Sequence, residues 1–139
     1  EAASFMEKVD RGKRAPAAAA FRFVLDDEGF RPRLLERMVA LRCALLRLPY
    51  GDQGLLLPRS LYAGIGGFAP LRLMEDVDLV RRLGRRRIAL LRAGAVTSAR
   101  RYRRDGYRSR SARNLSCLAL YFLGVAPATL ANRYDRGSS

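Results

Sequence analysis

Apolar positions along the chain fall into blocks whose spacing changes from helical to alternating and back. Residues 2 to 10, AASFMEKVD, carry a short helical pattern that stops at Arg11-Gly12, with Pro16 beyond. The run AAAAFRFVL then turns toward alternation. Phe21, Val24 and Leu25 supply β-formers, and Asp26-Asp27-Glu28-Gly29 ends the run, so a strand is expected. From Pro32 to about Leu48 the residues Leu34, Leu35, Met38, Leu41, Cys43, Leu45 and Leu46 recur at helical spacing with arginines between them. That pattern predicts a long amphipathic helix, with Pro32 in its first turn and Pro49 as its stop.

The stretch GDQGLLLPRS reads as a loop feeding a short buried strand, Leu55 to Leu57, followed by a helix from near Ser60 that Gly64, Gly66 and Gly67 cut short. In MEDVDLVRRLG the apolar positions Val77, Leu79, Val80 and Leu83 predict a further helix, with Gly84 as its C-cap. RIALL and AVTSA look like two short strands. Beyond them the chain is Arg-rich from Arg100 to Arg113, turns apolar in LSCLALYFLG, and ends in a short helix from near Pro127. Strands alternating with helices predict an α/β layer fold, and 139 residues suffice for one domain with a real core.

Composition narrows the chemistry. Arg and Lys number 27 against 13 for Asp and Glu, a net charge of +14, and only Lys8 and Lys13 are lysines. Such a surplus attracts polyanions: nucleic acid, nucleotide diphosphates or anionic headgroups. The absence of His removes the commonest general base and neutral metal ligand, which leaves carboxylates, Tyr, Cys or Lys. Cys43 and Cys117 sit in apolar, helix-like runs and read as reduced core residues. No run of eighteen apolar residues is present. The chain opens at Glu1 without Met, which suggests a piece of a longer polypeptide.

Two charged features compete for function. Residues 81 to 113 hold thirteen Arg against one acid, Asp105, with Tyr102 and Tyr107 interleaved, a pattern that suits a phosphate backbone with stacked bases. Arg81, Arg82 and Arg85 to Arg87 equally suit a solvated basic face at a helix C-terminus. The later arginines follow a strand end, where ligands bind in open α/β sheets and where guanidinium forks can grip a diphosphate. The second feature is the acidic group Glu75, Asp76 and Asp78. Carboxylates at a helix start complement the dipole by roughly 0.3 to 1 kcal/mol. Asp76 and Asp78 also spell D-x-D, but two helical positions span about 200°, which turns the carboxylates apart and disfavours a chelate.

The ordered set PYGDQGLLLPRSLYAGIGGFAPLRLMEDVDLVRRL followed by VTSARRYRRDG resembles the C-terminal half of a family 2 glycosyltransferase with the GT-A fold, in a bacterial subgroup with a G-D-Q loop, a G-G-F turn and an E-D-V helix start. The likeness runs from about Ala19 to Tyr134. It implies a partial GT-A sheet of the nucleotide-diphospho-sugar transferase type with flanking helices, residues 1–105 forming the acceptor-side half and residues 106–139 a C-terminal helical extension. It implies that Asp76 is the catalytic base of an inverting transfer and that Glu75 orients the acceptor. It puts Gly51, Asp52 and Gln53 with Gly66, Gly67 and Phe68 around the acceptor, and Arg100, Arg101, Arg103 and Arg104 against the leaving diphosphate.

The implied partners are a nucleotide-sugar donor and an acceptor the sequence does not name. The implied cofactor is a divalent metal, Mg or Mn, with ligands mostly outside this chain, since the family's nucleotide-binding half and its metal-binding D-x-D are expected ahead of Glu1 and the piece alone is expected to be inactive. The alternative is an Arg-rich nucleic-acid-binding module. A cytoplasmic location with peripheral contact to an anionic membrane is a further expectation: LSCLALYFLG beside Arg108, Arg110 and Arg113 has the makings of an interfacial helix, or of one that packs on its own domain.

Overall fold

The computed structural model describes residues 1–10, 17–51 and 53–136. The expected helix stop at Arg11-Gly12 with Pro16, and Asp52 of the G-D-Q loop, lie outside the described residues. The described residues form a mixed α/β architecture of seven helices and a three-stranded mixed sheet. Helix α1 (Ala2–Asp10) leads to strand β1 (Ala18–Leu25) and the long helix α2 (Phe30–Leu46). Strand β2 (Leu55–Leu56) and helices α3 (Arg59–Gly64) and α4 (Glu75–Leu83) follow. A single 3₁₀ turn, Arg85–Arg87, precedes strand β3 (Ile88–Thr97), and helices α5 (Arg100–Asp105), α6 (Tyr107–Phe122) and α7 (Pro127–Arg136) complete the order.

Strand β1 is central, antiparallel to β2 and parallel to β3. Alternate residues of a strand face opposite sides of the sheet, and β1 uses both. Ala18 and Ala20 join Leu48, Met74, Val77, Val80, Leu83 and Ile88 in the larger core, which Cys117 and Leu118 of α6 and Leu130 of α7 complete. Phe23 and Leu25 face the other way, into a smaller core with Ala99 and Tyr102 that Leu35, Val39 and Tyr107 flank. Small residues at Ala18 to Ala20, all fully buried, let helices approach the central strand closely. The two cysteines are free and buried, as core residues should be.

Three expectations change. RIALL and AVTSA form one strand, because β1 pairs alongside from Ala18↔Ile88 to Leu25↔Thr97. The register slips between Ala20↔Leu90 and Arg22↔Gly94, and in the slipped stretch the N–H groups of Arg92 and Ala93 donate to the Glu1 carboxylate, each at 2.9 Å. Those two bonds hold the Glu1 carboxyl below its ordinary range. The arginines that follow the strand end, read there as forks for a diphosphate, wind into a helix, α5.

The third change concerns α2, which starts at Phe30 and ends where Arg47 enters the left-handed region (φ 46°) and donates its N–H to the Cys43 carbonyl at 2.9 Å. Only Pro32 and Cys43 of this helix are fully buried, while Leu34, Met38, Leu41, Leu45 and Leu46 lie exposed. The helix carries two apolar faces, and the sheet covers one. Among the described residues no helix is long and apolar enough to cross a membrane.

Gly94 of β3 stands opposite Arg22 of β1, just after the slip in register. A Cβ there would stand 2.7 Å from Val24 Cγ2. Gly94→Ala is therefore expected to destabilise the fold by about 1–3 kcal/mol, the ordinary cost of overpacking, read as a lower midpoint in urea unfolding.

Candidate functional site

The loop from Pro49 to Gly54 organises the site, and four anchors hold it. Leu48, just ahead of it, is buried in the larger core. Gln53 is 4% exposed and spends its amide inside: Nε2 donates to the Phe21 carbonyl at 3.3 Å, and Oε1 accepts from Arg42 at 3.0 Å and from the Cys43 thiol at 3.2 Å. The Arg42 guanidinium lies over the Tyr50 ring, 4.0 Å from its centroid. Burial pushes the Tyr50 phenol above its ordinary range, with Arg42 opposing that and the nearby Asp76 charge adding to it. At the tip, the Gly51 N–H donates to Asp76 Oδ2.

Asp76 reaches that loop from the first turn of α4. Met74 takes a left-handed conformation (φ 68°) just before the helix and turns the chain into it, and Val77, Leu79, Val80 and Leu83 are buried, Leu79 and Val80 lining the same cavity as Asp76. Asp76 Oδ1 accepts from the Val77 N–H at 2.7 Å. A carboxylate offers about four lone-pair positions, so both oxygens retain acceptor capacity. Asp76 lines a cavity of about 180 Å³ together with Tyr50, Gly51, Gln53 and Phe68. Tyr50, Gly51 and Gln53 also line a second, mostly apolar cavity of about 150 Å³ with Met38, Arg42, Tyr102 and Asn114. The site is a pair of cavities that share Tyr50, Gly51 and Gln53.

Asp78 does different work. Its carboxylate binds Arg82 one turn on, at 2.7 Å, and Arg82 donates in turn to the carbonyls of Ile65 and of Gly67, the latter at 2.7 Å. This clamp fixes the G-G-F turn from behind. Gly67 has φ 62°, and a Cβ there would stand 3.0 Å from the Tyr62 ring, so a side chain fits neither the backbone nor the space. The Tyr62 hydroxyl accepts the Phe68 N–H at 3.1 Å, and the two rings meet edge to face at 5.8 Å. Phe68 is thereby held half-exposed at the mouth of the Asp76 cavity.

Of the residues singled out from sequence, Asp76, Gly51, Gln53 and Phe68 come together around one cavity. Glu75 is half-buried beside them at the helix start, and Gly66 and Gly67 form the turn behind Phe68. The sequence marks Asp78 and Arg82 only as part of an acidic group and a basic cluster, and it assigns neither them nor Tyr62 or Arg42 to the acceptor site. The i,i+4 spacing of Asp78 and Arg82 is the signal that could have found the clamp.

The basic segment divides. Arg100 and Arg101 open α5 at the carboxyl end of β3 and are exposed. Arg103 lies 3.9 Å from both Asp26 and Asp27, and Arg104 binds Asp105 at 2.7 Å. Asp105 also binds Arg110 at 3.1 Å and Arg113 at 3.3 Å, and Arg110 is buried against the Tyr102 ring. Hydrogen bonding to Arg104 holds the Asp105 carboxyl below its ordinary range. The segment LSCLALYFLG is likewise turned inward at Cys117 and Leu118, so its helix packs on its own domain along that side.

The carboxyl ends of the parallel strands are tied together. The Asp26 N–H donates to the Thr97 carbonyl at 3.1 Å, and the Asp26 carboxylate accepts the Ala99 N–H. Beside them Tyr107 donates to Asp27 at 2.5 Å. Burial and this bond push the Tyr107 phenol up to about 12, and the same bond holds the Asp27 carboxyl down.

No group of three His, Cys, Asp or Glu able to hold a metal occurs among the described residues. Asp76 and Asp78 diverge, one toward Gly51 and the other toward Arg82, so they do not fit a shared ion. Comparison of the chain with protein-family models, with curated proteins and with solved structures returns no match.

Two outcomes test this geometry. Because the folded phenol of Tyr107 ionises late, its contribution to stability is complete below pH 10 and is lost as pH rises toward about 12. Tyr107→Phe should remove a step near pH 12 from the tyrosinate absorbance titration. Arg82→Met should speed amide hydrogen exchange at Gly67 and Phe68 while leaving β1 amides unchanged, because it releases the turn and not the sheet.

Proposed function

We propose that this chain is the acceptor side of an inverting sugar transferase that uses a nucleotide-activated donor, with Asp76 as the base. The observation that carries the proposal is the cavity shared by Asp76, Gly51, Gln53 and Phe68, residues far apart in sequence that the G-D-Q, G-G-F and E-D-V resemblance assigns to one acceptor site. Asp76 meets the requirements of a base in geometry: it lines the cavity, its carboxylate is oriented by two backbone N–H groups, and each oxygen keeps room for a hydroxyl donor.

In the reaction, the acceptor oxygen attacks the anomeric carbon of the sugar and its proton passes to Asp76. The new carbon–oxygen bond forms as the bond to the diphosphate breaks, and the electron pair leaves with the diphosphate. Developing negative charge on that group is met by guanidinium forks, for which Arg100 and Arg101 are the exposed choices. Arg103 and Arg104 contribute less directly, since Asp26, Asp27 and Asp105 share their charge. Phe68 offers a face on which a sugar ring can stack. A divalent metal would neutralise the diphosphate further, but the described residues hold no site for it.

The nucleic-acid reading draws on the same arginines and is weakened by their arrangement. Arg103, Arg104, Arg110 and Arg113 are engaged by carboxylates, and Arg110 is buried, so residues 100–113 do not form one continuous basic track.

The test is kinetic. In the protein expressed from its whole gene, Asp76→Asn should lower sugar transfer by ~10²-fold or more while changing the dissociation constant of the nucleoside diphosphate by less than about twofold, since a general base acts in the chemical step. Transfer at the parental rate would remove Asp76 from this role.

A further inference from the structure

The least explained surface of the molecule is the outer face of α2. Phe30, Leu34, Met38, Leu41 and Leu45 recur at steps of four, four, three and four, which lines them up on one side of a helix about 25 Å long. Their exposures include 76% for Phe30, 59% for Leu41 and 72% for Leu45. The opposite side of the same helix, with Leu35, Val39 and Cys43, packs toward Phe23, Leu25 and Leu48. An apolar stripe that the domain does not cover itself is an interaction surface.

Charge decides what covers it. Arg31, Arg37 and Arg47 rim the stripe and are exposed. At its C-terminal end Leu45, Leu46 and Arg47 share an open cleft of about 480 Å³ with Arg85 and Arg86 of the 3₁₀ turn. The one acid of α2, Glu36, is turned inward, where it accepts the Leu25 N–H at 2.9 Å and binds Arg33 at 2.8 Å. A second copy of the chain would bring the same guanidiniums against their equivalents, in a molecule already carrying +14. An anionic surface with an apolar interior meets both demands: phosphate headgroups for the arginines and acyl chains for the stripe.

We infer that α2 lies in the surface of an anionic membrane, with Phe30, Leu34, Met38, Leu41 and Leu45 inserted among the acyl chains and Arg31, Arg37, Arg47, Arg85 and Arg86 on the headgroups. This places membrane contact on α2: LSCLALYFLG also exposes Leu115, Phe122 and Leu123, but Cys117 and Leu118 serve the core and Arg110 and Arg113 beside it are bound to Asp105. It stands on the exposure and charge of α2 and is independent of the transferase assignment.

Co-sedimentation with phosphatidylglycerol and phosphatidylcholine vesicles tests it. The chain should partition onto the anionic vesicles at least tenfold more strongly than onto the neutral ones. Leu41→Ser/Leu45→Ser alters neither net charge nor the core, so it separates insertion from charge attraction; it should lower the anionic partition at least tenfold with an unchanged circular dichroism spectrum. The chain has no Trp, so Leu45→Trp gives a single reporter, whose emission should shift to the blue and be quenched by brominated phosphatidylglycerol. Binding of the double serine variant at the parental level, or indole emission in the Leu45→Trp variant that the brominated lipid does not quench, overturns the inference. So does a concentration-dependent dimer that the serine variant dissociates without any vesicle binding, an outcome that assigns the stripe to a second copy.

Discussion

Everything in this molecule hangs on the parallel pairing of β1 with β3. Parallel strands cannot be joined by a hairpin, so the chain between Leu25 and Ile88 must travel back across the sheet, and it carries α2, β2, α3 and α4 on the way. The pieces that meet around Asp76 all belong to that crossover: the loop after α2, the turn after α3 and the first turn of α4. Their positions follow from the burial of β1 on both faces. Ala18 and Ala20 pack with α4 on one side, and Phe23 and Leu25 pack with α2 on the other.

Scarcity of acid shapes the rest. With twice as many cations as anions, Asp26, Asp27, Asp76, Asp78 and Asp105 each have a specific task. Asp105 holds three guanidiniums, Asp26 and Asp27 close the carboxyl ends of the strands against Arg103 and Tyr107, and Asp78 clamps the G-G-F turn through Arg82. Asp76 differs, because it accepts from the backbone N–H groups of Gly51 and Val77 and its carboxylate opens on a cavity. An acid that the backbone orients in this way is suited to receive a proton.

Much of the element order was legible because it rests on local pattern. The β-formers of β1, the apolar spacing and Gly84 stop of α4, and Pro127 at the start of α7 are short-range signals that tertiary packing did not overturn. Strand β3 was harder. Its break in register looks like a turn in the sequence, and it is bridged by the Glu1 carboxylate, more than ninety positions away. The arginines of α5 carry no apolar periodicity of their own, and Tyr102 alone anchors the helix in the smaller core.

Local grammar was legible in the sequence for most elements outside β3 and α5: where β1, α2 and α4 form, that Asp76 and Asp78 diverge on a helix, and that glycines flank the acidic turn. Only the tertiary structure decided which of the two apolar faces of α2 meets the sheet, that Gln53 is consumed inside, and that Arg82 serves the G-G-F turn instead of a basic surface. The physical reason is the same in each case. Periodicity reports that a side chain has an apolar or charged character, whereas burial and pairing depend on which distant residue arrives opposite it.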